Sequence, residues 1–297
     1  MTSHDDAGDS TFAPRPLHPD DVDRLRLGWW SRLGVNEVRR LVTQWPGNSL
    51  WFPETHEYVL VGPWRHRADV MHVLDLVAVR HPVELMRAGI QQAQEAGSRL
   101  FLAVEMAERR QDSFYDRIGL QLLEVVISYE LPARPGRNDL PPGIDISRVE
   151  SLSESELDSL TTVDWNSFPW LWRNSVEEFK EYFSQTGVEI FMMRAEGRPI
   201  GYLGLTVFPG WGHVDRLAIV RSEQGKGFGR MLTEFAINRL VSLGAVRIGL
   251  STQQRNERSQ ALYSGLGFRR QVSGDYRIYG RALWQNDAVD NLVMGGI

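Results

Sequence analysis

The sequence predicts an α/β (α+β) protein made of two tandem domains of the same layout. Three observations lead there. The chain has 297 residues, 42% hydrophobic and 24% charged, an ordinary globular composition that at about 150 residues per domain provides two cores. A proline- and glycine-rich segment interrupts it near the middle. Strand and helix signals then run in the same order on either side of that break.

The interrupting segment, Leu131 to Gly143, holds Pro132, Pro135, Pro141 and Pro142 with Gly136 and Gly143. Proline fixes φ and lacks an N–H, so this density excludes a helix or a central strand and reads as a linker. We place the linker at 132–143 and the domains at 15–131 and 144–284. Met1 to Ser10 has acidic and small residues around Gly8 and no apolar run, so no secretory signal is expected and 1–14 reads as a flexible tail. Residues 285–297 show no period and read as a second tail.

In the second half, Ile144 to Val149 alternates as a strand should. Ser153 to Thr162 reads as a helix capped by Ser151 or Ser153. Ser175 caps a helix through Phe183, with Glu177 and Glu178 at its positive end. Val188 to Arg194 and Pro199 to Phe208 are strands joined at Glu196-Gly197-Arg198. His213 to Val220 is a strand, Gly227 to Leu243 a helix with Leu232, Ala236, Leu240 and Leu243 on one face, and Val246 to Ser251 a buried strand. Glu257 to Leu266 is a helix stopped at Gly267, and strands finish the half from Phe268 to Leu283.

The first half repeats this order. Asp75-Leu76-Val77-Ala78-Val79 matches Asp215-Arg216-Leu217-Ala218-Ile219, and each is followed by a helix ending near a glycine, Gly97 or Gly244. An apolar strand comes next, Leu100 to Val104 or Val246 to Leu250, then Tyr115 to Gly119 or Tyr263 to Gly267 as Tyr-x-x-x-Gly. Constant order at near-constant spacing indicates a tandem duplication. The first copy is about seven residues shorter between Asp75 and Gly97 than the second between Asp215 and Gly244.

Those residues correspond to Gln224-Gly225-Lys226-Gly227-Phe228-Gly229-Arg230, a glycine-rich loop between an apolar strand and an amphipathic helix. Glycines let the backbone approach a ligand, N–H groups converge on a phosphate, and the helix start adds positive charge. No Gly-Lys-Ser/Thr occurs in the loop and its spacing is not Gly-x-Gly-x-x-Gly, so neither a Walker loop nor a dinucleotide fingerprint is read. In the first half Arg80-His81-Pro82-Val83-Glu84 stands in its place; Pro82 removes a donor and Glu84 would repel phosphate.

Composition narrows the function. A net charge of −5 and a pI of about 5.9 offer no basic footprint for nucleic acid. The chain has no cysteine, which excludes disulfides, thiolate metal sites and a cysteine nucleophile. No run approaches ~18 apolar residues, so no membrane partner is expected; a cytoplasmic location is the default.

Gln224-x-x-Gly227-x-Gly229 resembles the pyrophosphate loop of the GNAT (Gcn5-related) N-acetyltransferase family. Asn256, Ala261-Leu262-Tyr263 and Gly267-Phe268 resemble that family's next conserved region. The resemblance implies two GNAT-like domains, each a mixed, largely antiparallel sheet flanked by helices, with acetyl-CoA as co-substrate and no metal. The tandem layout with one active half is similar to that of mycothiol synthase in architecture alone. It further implies that Gln224, Gly225, Lys226, Gly227, Phe228, Gly229 and Arg230 wrap the pyrophosphate. Leu217, Ala218 and Ile219 would offer a splayed strand edge to the pantetheine arm. Asn256 would bind that arm or orient its helix, and Tyr263 would face the thioester sulfur as acid.

An amine must lose a proton before attack. His213 is the candidate base and Asp215 the second choice, and alternation places His213, Asp215 and Leu217 on one strand face. Asp215 could instead be a structural ion pair with Arg216 or Arg221. Trp165, Phe168, Trp170 and Trp172, followed by Phe179, Tyr182 and Phe183, could wall the acceptor or simply pack the sheet. Glu177, Glu178 and Glu181 read as a solvated face. Trp29, Trp30, Trp45, Trp51 and Trp64 crowd the first half, read as a degenerate copy. The expectation is an acetyltransferase acting on a small-molecule or peptide amine, as monomer or homodimer. A non-catalytic acyl-CoA sensor is the alternative.

Overall fold

The computed structural model describes residues 13–27, 31, 33–106, 112–136 and 140–284. Trp29, Trp30, the tail at 285–297 and residues 1–12 of the first tail lie outside them. The first half forms β1 (Arg15–Pro16), α1 (Val35–Gln44), β2 (Leu50–Phe52), β3 (Glu57–Trp64), β4 (Arg67–Val77), α2 (Pro82–Glu95), β5 (Leu100–Met106), α3 (Asp112–Ile118) and β6 (Gln121–Pro132). The second forms β7 (Ile144–Arg148), α4 (Glu154–Ser167), α5 (Val176–Ser184), β8 (Val188–Ala195), β9 (Arg198–Phe208) and β10 (Trp211–Ile219). It closes with α6 (Phe228–Ser242), β11 (Arg247–Gln253), α7 (Glu257–Gly265) and β12 (Arg269–Ala282).

Local chemistry sets many of these ends. Ser153 Oγ accepts the Glu156 N–H at 3.3 Å and starts α4, and Ser175 Oγ accepts the Glu178 N–H at 3.0 Å and starts α5. Glu196 and Gly197, at φ of 49° and 79°, make the tight turn from β8 to β9. One expectation is corrected. Pro132 is still strand, paired with Arg247 at the end of β6, because a terminal position needs no N–H from proline.

Among the described residues the twelve strands lie in one sheet, in the order β1-β2-β3-β4-β5-β12-β6-β11-β10-β9-β8-β7. The last strands of the two halves are exchanged. β12 pairs with β5 of the first half, β6 pairs with β11 of the second, and the two pair with each other. Helices α2, α3, α6 and α7 cover one face, with cores such as Leu85, Phe101 and Ile118, or Leu232, Leu240 and Leu250. Helices α1, α4 and α5 cover the other. A third cluster, Val70, Leu102, Val126, Leu171, Trp172 and Ile278, joins both halves at the centre.

The register makes the repeat concrete. β4 runs parallel to β5 from Val70↔Leu100 to Val73↔Ala103, and β10 to β11 from Trp211↔Arg247 to Val214↔Leu250. Each first strand then bulges against its hairpin partner, after Val73 and after Val214. His72 therefore matches His213, Tyr58 matches Tyr202, and Leu74, not Asp75, matches Asp215. The sequence alignment on aspartates is one residue out, because the bulged position has no ladder partner and any side chain fits there.

Candidate active site

Beyond Val214 the parallel pair parts. β10 continues to Ile219 alongside β9, while β11 continues to Gln253 alongside β6, and no pairing joins them. The edge of β10 over Asp215 to Ile219 thus lacks a strand partner on the β11 side. Gln224 closes the end of the gap: its Nε2 donates to Ile219 O at 2.9 Å and its Oε1 accepts from Arg258 at 2.6 Å.

The glycine loop follows. Gly225 and Gly227 take φ of 82° and 90°, a region glycine enters without strain. Gly227 is the N-cap of α6 and has no side chain to cap it. The first helical bond is Met231 N–H to Gly227 O at 3.1 Å, so the N–H groups of Phe228, Gly229 and Arg230 precede the helical ladder. Lys226 pairs with Glu223 at 2.8 Å and Arg230 with Glu234 at 3.3 Å, both at the surface. Asn256 Oδ1 accepts the Ser259 N–H at 3.1 Å and caps α7. Tyr263, on α7, is 6% exposed, between Tyr129 and Phe268 at ring distances of 6.3 and 5.9 Å. Burial pushes its hydroxyl up to about 12, against the opposing effect of a hydrogen bond with Ser259.

On the other face, around the bulge, four side chains meet. His213 Nδ1 lies 2.7 Å from Asp215 Oδ1. Thr206 and Tyr182 hydroxyls donate to Asp215 Oδ2 at 2.6 and 2.5 Å. Burial, reinforced by the Asp215 charge, raises the Tyr182 hydroxyl well above its ordinary value, so it stays a donor. A carboxylate only accepts, so Nδ1 is the donor of this contact, and Nε2 is the ring nitrogen that Asp215 does not engage. The His213 and Asp215 side chains are 25% and 26% exposed.

The expected common face of His213, Asp215 and Leu217 is corrected. The bulge flips the alternation: Leu217 packs with Val214 on the α6 side, and Arg216 turns toward α4. Nor does Asp215 pair with Arg216. That guanidinium is bound to fully buried Asp164 at 2.5 Å and to Trp172 O. Burial would lower its basicity, but Tyr202 and Asp164 outweigh that and raise it. Tyr182 and Thr206 were missed as carboxylate partners. The hairpin register, which sets Thr206 opposite His213, could have found Thr206.

The expected aromatic wall divides. Trp172 and Phe179 are core, whereas Trp165 lies within α4, half exposed, donating to Asn174 O at 2.9 Å. Glu177 and Glu181 are exposed, as a solvated face requires; Glu181 also meets His66, and the part-buried Glu178 meets Arg65 of the first half. Beside His213, Trp211 lies at 5.4 Å and stacks on Phe208.

In the first half the matching features are closed. The Glu57 carboxylate accepts the N–H groups of Val79 and Arg80, both at 2.7 Å, and of His81 at 3.2 Å. Burial alone would raise this carboxyl, but those N–H bonds and the His81 charge hold it below its ordinary value. His72 Nδ1 donates to Gly62 O at 3.0 Å beneath Trp64, and burial pushes it down to about 4.

Among the described residues no group of three or more His, Asp or Glu is placed to hold a metal ion, and no helix is long and apolar enough to cross a membrane.

Residues 157–268 match the family model described as Acetyltransferase (GNAT) family. A GCN5-related N-acetyltransferase from Sphaerobacter thermophilus shares the fold at a TM-score of 0.63 and 15% identity, over 95% of this chain and 99% of that one. A tandem GNAT protein from the clavulanic acid biosynthesis pathway does so at 0.57 and 12%, over 92% and 99%. No curated protein matches. The second half thus carries the match to the GNAT acetyltransferase family model, and the chain as a whole has the fold of a GCN5-related N-acetyltransferase and of a tandem GNAT protein.

Proposed function

We propose that the second half transfers the acetyl group of acetyl-CoA to a primary amine by direct attack. The observation that carries this reading is the His213–Asp215 pair, at 2.7 Å, where β10 leaves β11. With Nδ1–H held by Asp215, Nε2 takes the proton of the acceptor ammonium. The amine lone pair then attacks the thioester carbon, the C–S bond breaks, and coenzyme A leaves as thiolate.

The donor side uses chain features already described. Phe228, Gly229 and Arg230 N–H groups receive the pyrophosphate, with Lys226 and Arg230 adding charge. Leu217, Ala218 and Ile219 line the edge without a strand partner that receives the pantetheine arm, Gln224 holding Ile219 O at its end. Tyr263 stays protonated at neutral pH, as its raised value requires. A thiol titrates near ~8.5, so full proton transfer from Tyr263 is uphill; its hydroxyl serves the departing sulfur mainly as a hydrogen-bond donor. The first half, with Glu57 in its loop and His72 covered, binds no second donor.

The test is thiol release from acetyl-CoA across a panel of small amines and peptide N-termini, with wild type and His213→Ala. Amine-dependent release that falls sharply in the variant supports the reading. Tight coenzyme A binding with no release for any amine would replace it with acyl-CoA sensing.

A further inference from the structure

We propose that Arg65 and His66, at the tip of the first half's β3–β4 hairpin, are positioning residues for the catalytic strand of the second half. This rests on the reading of His213 as the base.

The tip is a tight turn, with Arg65 and His66 both left-handed at φ of 52° and 54°. It docks on the connection between α4 and α5. Trp64 Nε1 donates to Leu171 O at 3.1 Å, and Arg67 donates to Trp170 O at 2.6 Å.

Two routes lead from the tip to the bulge. In the first, His66 Nε2 sits 2.5 Å from Glu181 Oε2, and Arg65 lies 3.7 Å from Glu178. Both contacts pin α5, whose next residue, Tyr182, donates to Asp215 Oδ2 at 2.5 Å. In the second, Arg65 donates to Asn174 Oδ1 at 2.7 Å, and Asn174 N–H donates to Asp164 Oδ1 at 2.9 Å. Asp164 Oδ2 then accepts from Arg216 at 2.5 Å.

Asp215 and Arg216 are consecutive, at the register break of β10. A bulged residue has no ladder partner, so side chains must set its direction. Here both consecutive side chains are held by groups that the first half anchors. The first half thereby sets the Asp215 carboxylate, and through it the Nδ1 proton of His213.

The experiment uses the full chain with Arg65→Met, His66→Leu, His66→Lys, Glu181→Gln and His213→Ala. It reads kcat per coenzyme A site, counted by calorimetry so that unfolded protein is excluded. Arg65→Met and His66→Leu should lower kcat by ~10-fold or more with acetyl-CoA affinity unchanged, the scale of a slightly misplaced group. His66→Lys, which keeps an N–H donor opposite Glu181, should restore most of the loss. His66→Leu with Glu181→Gln should be no worse than the poorer single variant. Wild-type kcat in both hairpin variants, with His213→Ala inactive, overturns the inference and leaves the catalytic reading standing. Full activity of His213→Ala overturns both.

Discussion

Glu57 and Gly201 stand at matching places in the two halves, each just before the tyrosine, Tyr58 or Tyr202, that pairs with the strand entering the loop. Glu57 fills its own loop with a carboxylate bound to three backbone N–H groups. Gly201 cannot be replaced in kind, because a Cβ there would lie 2.5 Å from Ala218 O. One loop thus carries an internal anion, and the other leaves Gly225 to Gly227 exposed.

This difference sets the stoichiometry. We expect one coenzyme A per chain by calorimetry; two equivalent tight sites would refute the closed reading of the first half. It also sets a pH dependence. The folded Glu57 carboxyl lies below its ordinary value, so its stabilisation is full above the unfolded value and is lost as pH falls through the folded one. Glu57→Ala should cost about 2 kcal/mol near neutral pH. The gap between variant and wild type should narrow on acidification below that range in denaturant titrations; a constant gap would show that charge is not involved.

Gly229 separates ligand approach from folding. It is helical, and a Cβ would meet only Leu262 at an ordinary 3.5 Å. Gly229→Ala should therefore melt like wild type yet bind coenzyme A ~10-fold or more weaker, because a methyl group stands where the pyrophosphate approaches the backbone. Gly227→Val would also block the loop, but its φ of 90° adds strain that mixes the two effects. Unchanged affinity in folded Gly229→Ala would remove the loop assignment.

The base leaves a signature in the pH–rate profile. His213→Ala should lower kcat/KM by ~10²-fold, the scale of a positioned base. The loss should be greatest at low pH, where the amine is protonated, and should shrink as pH rises and free amine accumulates. Asp215→Asn should shift the acidic limb, since the amide can no longer hold Nδ1–H against the Tyr182 and Thr206 donors. Identical profiles in all three proteins would point to proximity alone.

For Tyr263 the readout is the split between chemistry and binding. Tyr263→Phe keeps the ring between Tyr129 and Phe268 and removes only the hydroxyl. A kcat reduced by ~10-fold or more with acetyl-CoA affinity nearly unchanged is expected. An unaltered kcat would make Tyr263 a packing residue.

What the sequence determined by itself was local. Ser153, Ser175 and Gly267 mark their helix ends because caps and left-handed stops depend on a few neighbouring atoms. The glycine loop and the repeated order of elements were legible for the same reason: spacing along the chain is enough to describe them. Tertiary structure alone decided the rest. The exchange of β6 and β12 depends on which distant edge each strand meets, and both halves read equally well with their own last strand. The bulge at Asp215 depends on pairing with β9, and one residue of slip sends Leu217 to the opposite face. Tyr182 reaches Asp215, and Glu57 reaches the first loop, across intervals that no periodicity records. A buried or half-buried charge takes whichever donors the fold brings within hydrogen-bond range, so its partners are a property of the packed chain.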